Sequence, residues 1–359
     1  SAIQKGFKVI QVPIEYVEAF QRDPIGALRD YAGISVAGMR KSKLFPSEKL
    51  IVDCYDPAKR DPVSMSTIEV GLNDDVNFAE YLDFSAIRVP RSYPRYIHVD
   101  IAYSGNGDAL GLGMSCISGW QDRTVEDLED GGSMKVEKLP VVETDLAMRI
   151  KGRPGDKIPL NKVRKLIVDL KKVYGFNIQL VTFDLDLLSE ESKQILTRAG
   201  VKCDSLSLDR NPQIYRGFRD LVHDKRWCCH RNEYLHFELV NLEDDPDKNK
   251  VDHPDEVADM IILEDGNTKD VILRGSKDIS DSVCGSVESA IRGANVPVSK
   301  EFIAGMKRIS SQVKKVDPIR SLLAIDEVKP HDEVKREDSP PKRTTEQFKN
   351  LFKRSQRNL

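Results

Sequence analysis

The sequence predicts an α/β fold: a mixed β-sheet flanked by helices, with a loop-rich N-terminal segment and a disordered C-terminal tail. Three observations predict it. Residues 96–150 hold three apolar stretches separated by turn formers, the pattern of an antiparallel meander. From residue 158 onward, amphipathic helical runs alternate with short apolar strands, which places helices on the faces of a sheet. From Val328 to the end no core pattern remains, Pro340 and Pro341 stand together, and the composition turns basic.

The elements follow in order. Ile14, Val17, Phe20 and Leu28 fall at loosely helical spacing, interrupted by Pro24. Residues 50–56 (LIVDCYD) predict a short strand, and 46–85 are rich in turn formers. Tyr96 to Tyr103 predicts a strand carrying Asp100 in its interior; 104–108 (SGNGD) is a turn, and 109–118 (ALGLGMSCIS) is a second strand thinned by glycines. Residues 139–150 supply a third. Val163, Leu166, Ile167, Leu170 and Val173 share one face of a helix that Gly175 stops. A buried strand over 177–184 closes on Asp184, followed by a helix over 189–200, a strand over 201–208, and helices over 211–226 and 234–244. Residues 258–265 and 269–274 predict a hairpin. Ile279, Val283, Val287 and Ile291 recur at i, i+4 and predict a further helix. The chain thus divides into a loop-rich segment (1–90), a sheet domain (91–300) and a C-terminal helix with a basic, mostly disordered tail (301–359).

Composition narrows the function. The 55 Lys and Arg against 58 Asp and Glu leave a net charge of −3, so nucleic acid could be held only by local basic patches. No apolar run approaches the roughly 20 residues that span a bilayer, and no charged segment followed by an apolar one opens the chain. A membrane is therefore not an expected partner. The six cysteines include no C-x-x-C, and His223, His230 and His236 make no zinc set, so free thiols in a reducing compartment are expected. Gly33 and Gly38 have the separation of a phosphate-binding loop, but Met39 stands where its lysine must be.

Three acidic positions stand out. Asp100 lies within an apolar strand, where a charge is costly unless it faces a polar site. Asp184 closes an apolar strand, at the end where ligand sites of open sheets gather. Asp278 and Asp281 share one face of the first turn of a helix. Carboxylates converging from such elements repel one another, and a divalent cation relieves the repulsion. Hard oxygen ligands suit Mg²⁺ or Mn²⁺, and two ions about 3.5–4 Å apart would serve phosphodiester hydrolysis. Singly, each acid also fits a bland role: a turn or cap residue at a strand end, or a favourable charge at a helix N-terminus. Asp108 and Asp186 read as loop acids. Arg216, Arg219 and Arg226 lie on or near one helix, with Tyr215 and Trp227 close by, and would contact phosphates without reading sequence, or else form a solvated face. Lys277 is a further candidate phosphate contact. His98 shares a strand face with Asp100, and His253 lies near the acids in chain order.

The segments HVDIAYSGNGDALGLG, VTFDLDLLSEESKQILTRAG, SLDRNPQIYRGFRDLV, YLHFELVNLEDDPDKNKVDHP and GSKDISDSVCGSV occur in this order. Together they resemble the nuclease half of the large terminase subunit of tailed bacteriophages, a genome-packaging motor with a ribonuclease H-like nuclease fold. VPIEYVEAFQRDPIGALRDYAGI is similar to the segment joining that family's ATPase to its nuclease, and the resemblance covers roughly residues 8–295. It implies that Asp100, Asp184 and Asp278 are the catalytic metal ligands, with Asp281 a further or substitute ligand. The stretch LDLLSEES departs from the family pattern by about one residue, which affects Asp186 more than Asp184. Asp255, Glu256 and Asp259 repeat the acidic spacing, but residues 255–274 read as an insertion, which favours Asp278. The turn at 152–157 (GRPGDK) matches an element thought to gate access in the family.

The resemblance implies a two-metal (Mg²⁺ or Mn²⁺) endonuclease that cuts concatemeric duplex DNA in the host cytoplasm and is absent from the mature virion. Its partners would be duplex DNA, the portal protein, the small terminase subunit and a packaging ATPase domain. Without a phosphate-binding loop, either this chain is a nuclease-bearing fragment or the motor domain is a separate polypeptide. Two alternatives stay open: another ribonuclease H-like nuclease of the resolvase or integrase type, and a non-catalytic module docking DNA or portal through Lys342, Arg343, Lys349, Lys353 and Arg354.

Overall fold

The computed structural model describes residues 12–24, 27–28, 31–33, 41–101, 109–127, 133–184, 187–245, 248–262 and 268–294. The expected 104–108 turn, Asp108, Asp186 and the whole of 301–359 lie outside the described residues.

In the N-terminal segment a 3-10 turn (Ile14–Tyr16) leads into α1 (Val17–Arg22), which stops at Asp23 before Pro24. After β1 (Ser42–Lys43), the strand expected at 50–56 is instead a short helix, α2 (Glu48–Val52). Ser47 caps it by accepting from the Lys49 N–H, and Lys49 pairs with Asp53 one turn on at 2.6 Å. Cap and pair outweigh the β-branched Ile51 and Val52, of which only Ile51 is buried.

The central sheet has seven strands: β2 (Ile68–Val70), β3 (Arg95–Asp100), β4 (Leu110–Asp127), β5 (Ser133–Gly152), β6 (Ile178–Phe183), β7 (Cys203–Ser205) and β8 (Trp227–Cys229). Its order is β2-β5-β4-β3-β6-β7, with β8 also paired to β5. The meander β3-β4-β5 is antiparallel, while β6 and β7 add in parallel on the other side of β3. Helices α3 (Leu160–Lys172) and α4 (Leu187–Arg198) follow β5 and β6. Meander first, parallel strands beyond its first member: this is the mixed sheet flanked by helices that the sequence predicted. β4 and β5 run well past the expected 109–118 and 139–150, because their polar outer halves satisfy each other's backbone groups from Trp120↔Pro140 to Asp127↔Ser133.

Alternation along the strands gives the sheet two unlike faces. Ile97, Val99, Leu110, Leu112, Met114, Leu146, Met148 and Ile150 form one, packed with Val163, Leu166, Ile167 and Leu170 of α3. Burying each such side chain is worth about 1.5–3 kcal/mol. Val173, expected on that stripe, lies just past the helix and is exposed. The opposite face presents Tyr96, His98, Asp100, Gly111, Gly113, Ser115, Ala147 and Arg149, most of them small or polar. It receives the last helix of the described chain.

Three further helices follow: α5 (Gln213–His223), α6 (Glu233–Asn241) and α7 (Asp278–Gly293). They enclose a second core with Ile214, Phe218, Leu235, Leu239, Val283 and Val287. β9 (Glu243–Asp245) joins β1 and β10 (Lys250–Asp252) in a small antiparallel sheet. The predicted hairpin forms as β11 (Glu256–Ile262) and β12 (Thr268–Arg274), a separate two-stranded sheet.

Candidate active site

Asp100 and Asp184 are brought together by strand pairing. β3 and β6 run parallel with Val99 opposite Phe183, so the next residue of each chain emerges at the same edge. Asp100 is thus the last residue of its strand rather than an interior one. The position explains the tolerance for a carboxylate: at the carboxyl end of its strand Asp100 leaves the apolar interior and is only half-buried.

The helix acids arrive over glycine. Asp100 pairs with Gly111, and Gly111 pairs in turn with Arg149, giving a row Asp100–Gly111–Arg149 across three strands. A β-carbon on Gly111 would lie 1.9 Å from the Asp278 carbonyl oxygen, and one on Gly113 would lie 2.4 Å from that of Ser282. Only strand positions without side chains let α7 lie this close. The glycines that thin the second strand therefore seat α7, and its first turn carries Asp278 and Asp281 to Asp100.

The electrostatics record the convergence. Burial, then Asp281, Asp278 and Asp184, push the Asp100 carboxyl well above its ordinary range, with Lys277 opposing them. Burial likewise raises Asp281, against Lys277 and Tyr215. The Tyr215 hydroxyl donates to Asp281 Oδ1 at 2.5 Å, and Lys277 Nζ lies 3.2 Å from Asp281 Oδ2 and 2.5 Å from Asp209 Oδ1. Although burial disfavours its charge, Asp281 and Asp209 hold Lys277 above the usual lysine range. Asp278 Oδ2 accepts from the Ala109 N–H at 3.0 Å and from Ser276 Oγ at 2.9 Å, with Arg149 Nη2 3.5 Å away.

Glu238 is an acid the sequence reading passed over. It is fully buried on α6, and its Oε2 accepts the Ser280 N–H at 2.7 Å. Burial, then Asp278, push it up to about 8. Ser276 Oγ stands 2.8 Å from Glu238 Oε1 and 2.9 Å from Asp278 Oδ2, and its one proton cannot serve both. A protonated Glu238 donating to Ser276, which donates to Asp278, satisfies the chain.

The donor chemistry fits a hard divalent cation: four aspartates on three elements, with too much negative charge for burial. Among the described residues, however, no three His, Cys, Asp or Glu side chains stand as a group that could hold an ion. Asp281 is turned onto Lys277, with which an ion would have to compete, while Asp278 meets the Ala109 N–H, Ser276 and Arg149 through Oδ2.

The other candidates are placed as follows. Arg216 makes a two-pronged contact with Asp244 (2.9 and 3.0 Å), Arg219 pairs with Asp23 at 3.3 Å, and Arg226 pairs with Asp224 at 3.2 Å. All three basic side chains thus carry carboxylate partners, as does Lys277. His98 is buried, bonded through Nδ1 to Thr182 Oγ1 at 2.8 Å, and burial pushes it down to about 3, so it is a neutral core residue. His253 Nδ1 meets the Pro254 carbonyl at 2.9 Å. Asp255 is exposed beside the β11–β12 hairpin. The 152–157 turn links β5 to α3, with Gly155 at φ 79°. Glu238 and Arg149 could have been suspected from one signal, a charged residue inside an apolar run (HFELV, LAMRI).

No protein-family model matches the chain, and no curated protein matches it. Solved structures do. The HK97 bacteriophage large terminase is 13% identical with a TM-score of 0.35; the match covers 70% of this chain but only 44% of that one, so the chain spans less than half its length. The large terminase nuclease from thermophilic phage G20c with bound magnesium is 13% identical at a TM-score of 0.33, covering 65% of this chain and 98% of that one. The nuclease domain of the Thermus phage P74-26 large terminase is 15% identical at 0.28, covering 54% and 78%.

Proposed function

We propose that this chain is the nuclease part of a phage genome-packaging motor, a metal-dependent endonuclease acting on concatemeric duplex DNA. One observation carries the reading: Asp100 and Asp184 close the paired parallel strands β3 and β6, and Gly111, the cross-strand partner of Asp100, seats the first turn of α7 with Asp278 and Asp281. The ordered motifs of the sequence resemblance support the substrate class.

Asp100, Asp184, Asp278 and Asp281 would hold two Mg²⁺ or Mn²⁺ ions. Such ions supply a nucleophilic water at neutral pH and stabilise the departing oxygen of a phosphodiester. The chain's own residues prepare the place. Tyr215 orients Asp281, and the Ala109 N–H and Ser276 orient Asp278. Lys277 supplies a fixed positive charge beside Asp281, able to turn to a phosphate once a cation takes over its partners. Arg216, Arg219 and Arg226 would hold the DNA backbone by exchanging carboxylate for phosphate partners. The proposed setting is the host cytoplasm, outside the mature virion, with portal protein, small terminase subunit and a packaging ATPase domain as partners.

Incubating the purified chain with supercoiled plasmid, linear duplex and a four-way junction, with Mg²⁺, Mn²⁺ or EDTA, tests this. Metal-dependent nicking and cutting of plasmid and linear duplex is expected. Cutting confined to the junction would replace the reading with a resolvase, and no cutting with either metal would remove the nuclease.

A further inference from the structure

We infer that Arg149 is a positioning residue for Asp278: it holds that carboxylate for ion binding through a fork anchored elsewhere in the fold. The inference rests on the reading above that Asp278 holds a divalent ion.

Arg149 sits on β5, buried, in the row Asp100–Gly111–Arg149. Gly111 has no side chain to separate it from α7. Its guanidinium is held at three points. Nη1 donates to Thr67 Oγ1 at 3.2 Å, Nη2 lies 3.5 Å from Asp278 Oδ2, and Cζ lies over the Tyr234 ring, 4.6 Å from its centroid. Thr67 lies just before β2, and Tyr234 belongs to α6. Two contacts from separate elements, Thr67 and Tyr234, thus fix one planar cation against one oxygen of Asp278. Ala109 and Ser276 approach the same oxygen, so the orientation of the whole carboxylate is set from its Oδ2 side.

A plain counter-charge would not need this construction. A lysine supplies charge without planarity; only a guanidinium offers two donors in fixed relation and a face that stacks on a ring. Nε of Arg149 is also buried without a hydrogen-bond partner among the described residues. That cost is consistent with a side chain held for the place of its Nη atoms rather than for its own satisfaction. Groups that orient a metal ligand from behind typically change metal affinity by about 10–100-fold when removed.

The test is Mn²⁺ affinity by calorimetry on the full chain, with melting temperature measured alongside, for the parent, Arg149→Met, Arg149→Lys and Thr67→Val. We expect Arg149→Met to weaken Mn²⁺ binding by about tenfold or more. Arg149→Lys should fail to restore it, because the charge returns without the fork. Thr67→Val, which leaves the guanidinium in place, should weaken binding by less than Arg149→Met and decides the matter if that variant does not fold. Parental or tighter Mn²⁺ binding by Arg149→Met overturns the inference, since losing a cation next to an ion site would then only relieve repulsion. Full rescue by Arg149→Lys also overturns it, as does unchanged binding by Thr67→Val. A parent that binds no Mn²⁺ overturns the metal-dependent reading itself, whereas equal binding by parent and Arg149→Met overturns only the role of Arg149.

Discussion

The carbonyl oxygen of Asp278 lies where a side chain on Gly111 would begin, 1.9 Å from the ideal β-carbon position. Because Gly111 is the cross-strand partner of Asp100, this one close approach sets how near the helix acids come to the strand acid. A backbone atom cannot swing aside as a side-chain end can, so overpacking there costs about 1–3 kcal/mol or more. Gly111→Ala should lower the melting temperature and abolish metal-dependent cleavage. A Gly111→Ala protein that melts and cuts like the parent would show that α7 is not seated by that glycine.

Asp145 gives the chain a pH dependence with a definite sign. Burial pushes its carboxyl up to about 6 despite Arg95, whose Nε lies 2.8 Å from Oδ2, and its Oδ1 has no hydrogen-bond partner among the described residues. A folded pKa above the ordinary carboxylate value means the folded state binds the proton more tightly. The associated stability is complete below about pH 4 and is lost as pH rises through about 6, on the order of 3 kcal/mol. Urea midpoints measured from pH 4 to 7 should show a fall that Asp145→Asn flattens. An identical slope in the variant would assign the dependence to other groups. Arg95 keeps the carbonyls of Val89, Pro90 and Tyr93 in either case.

Tyr215→Phe removes the one hydroxyl that orients Asp281 from α5 while keeping the buried ring. Leaving a buried acceptor short of a donor costs about 1–3 kcal/mol. The variant should be less stable by that amount in urea and should bind Mn²⁺ more weakly in calorimetry. Unchanged stability would mean that Lys277 alone suffices to hold Asp281.

The three arginines make a separable prediction. If they trade carboxylates for phosphates, removing each one lowers the slope of log affinity against log salt by about 0.9. Fluorescence anisotropy with a labelled duplex across a salt series, for Arg216→Ala, Arg219→Ala and Arg226→Ala, reads this directly. A lowered melting temperature with an unchanged slope would make their pairs with Asp244, Asp23 and Asp224 purely structural.

The sheet and its helices were legible because period-2 and period-3.6 patterns are read locally. The meander, α3 and α7 all emerged where their apolar spacing placed them. What was misread was a local cap and ion pair that override strand propensity, and partners distant in sequence. Residues 50–56 carry strand-forming residues yet make α2 through a cap and an ion pair, and the outer halves of β4 and β5 look like polar loops because each is stabilised only by the other. At the site, Asp100 and Asp184 stood out as charges on apolar strands. Glu238 and Arg149 were equally anomalous by that test, but their relation to Asp278 depends on α6 and β5 meeting α7. The basic residues were judged by sign alone, and the sequence did not reveal the acids they face.

The central claim is that Asp100, Asp184 and Asp278 act together as the ion-holding set of a nuclease. Plasmid cleavage with Mg²⁺ or Mn²⁺ by Asp100→Ala, Asp184→Ala, Asp278→Ala and Asp255→Ala tests it most directly. The account predicts that the first three lose cutting while Asp255→Ala, altered beside the separate hairpin, keeps most of it. Survival of cutting in Asp278→Ala together with its loss in Asp255→Ala would contradict the account.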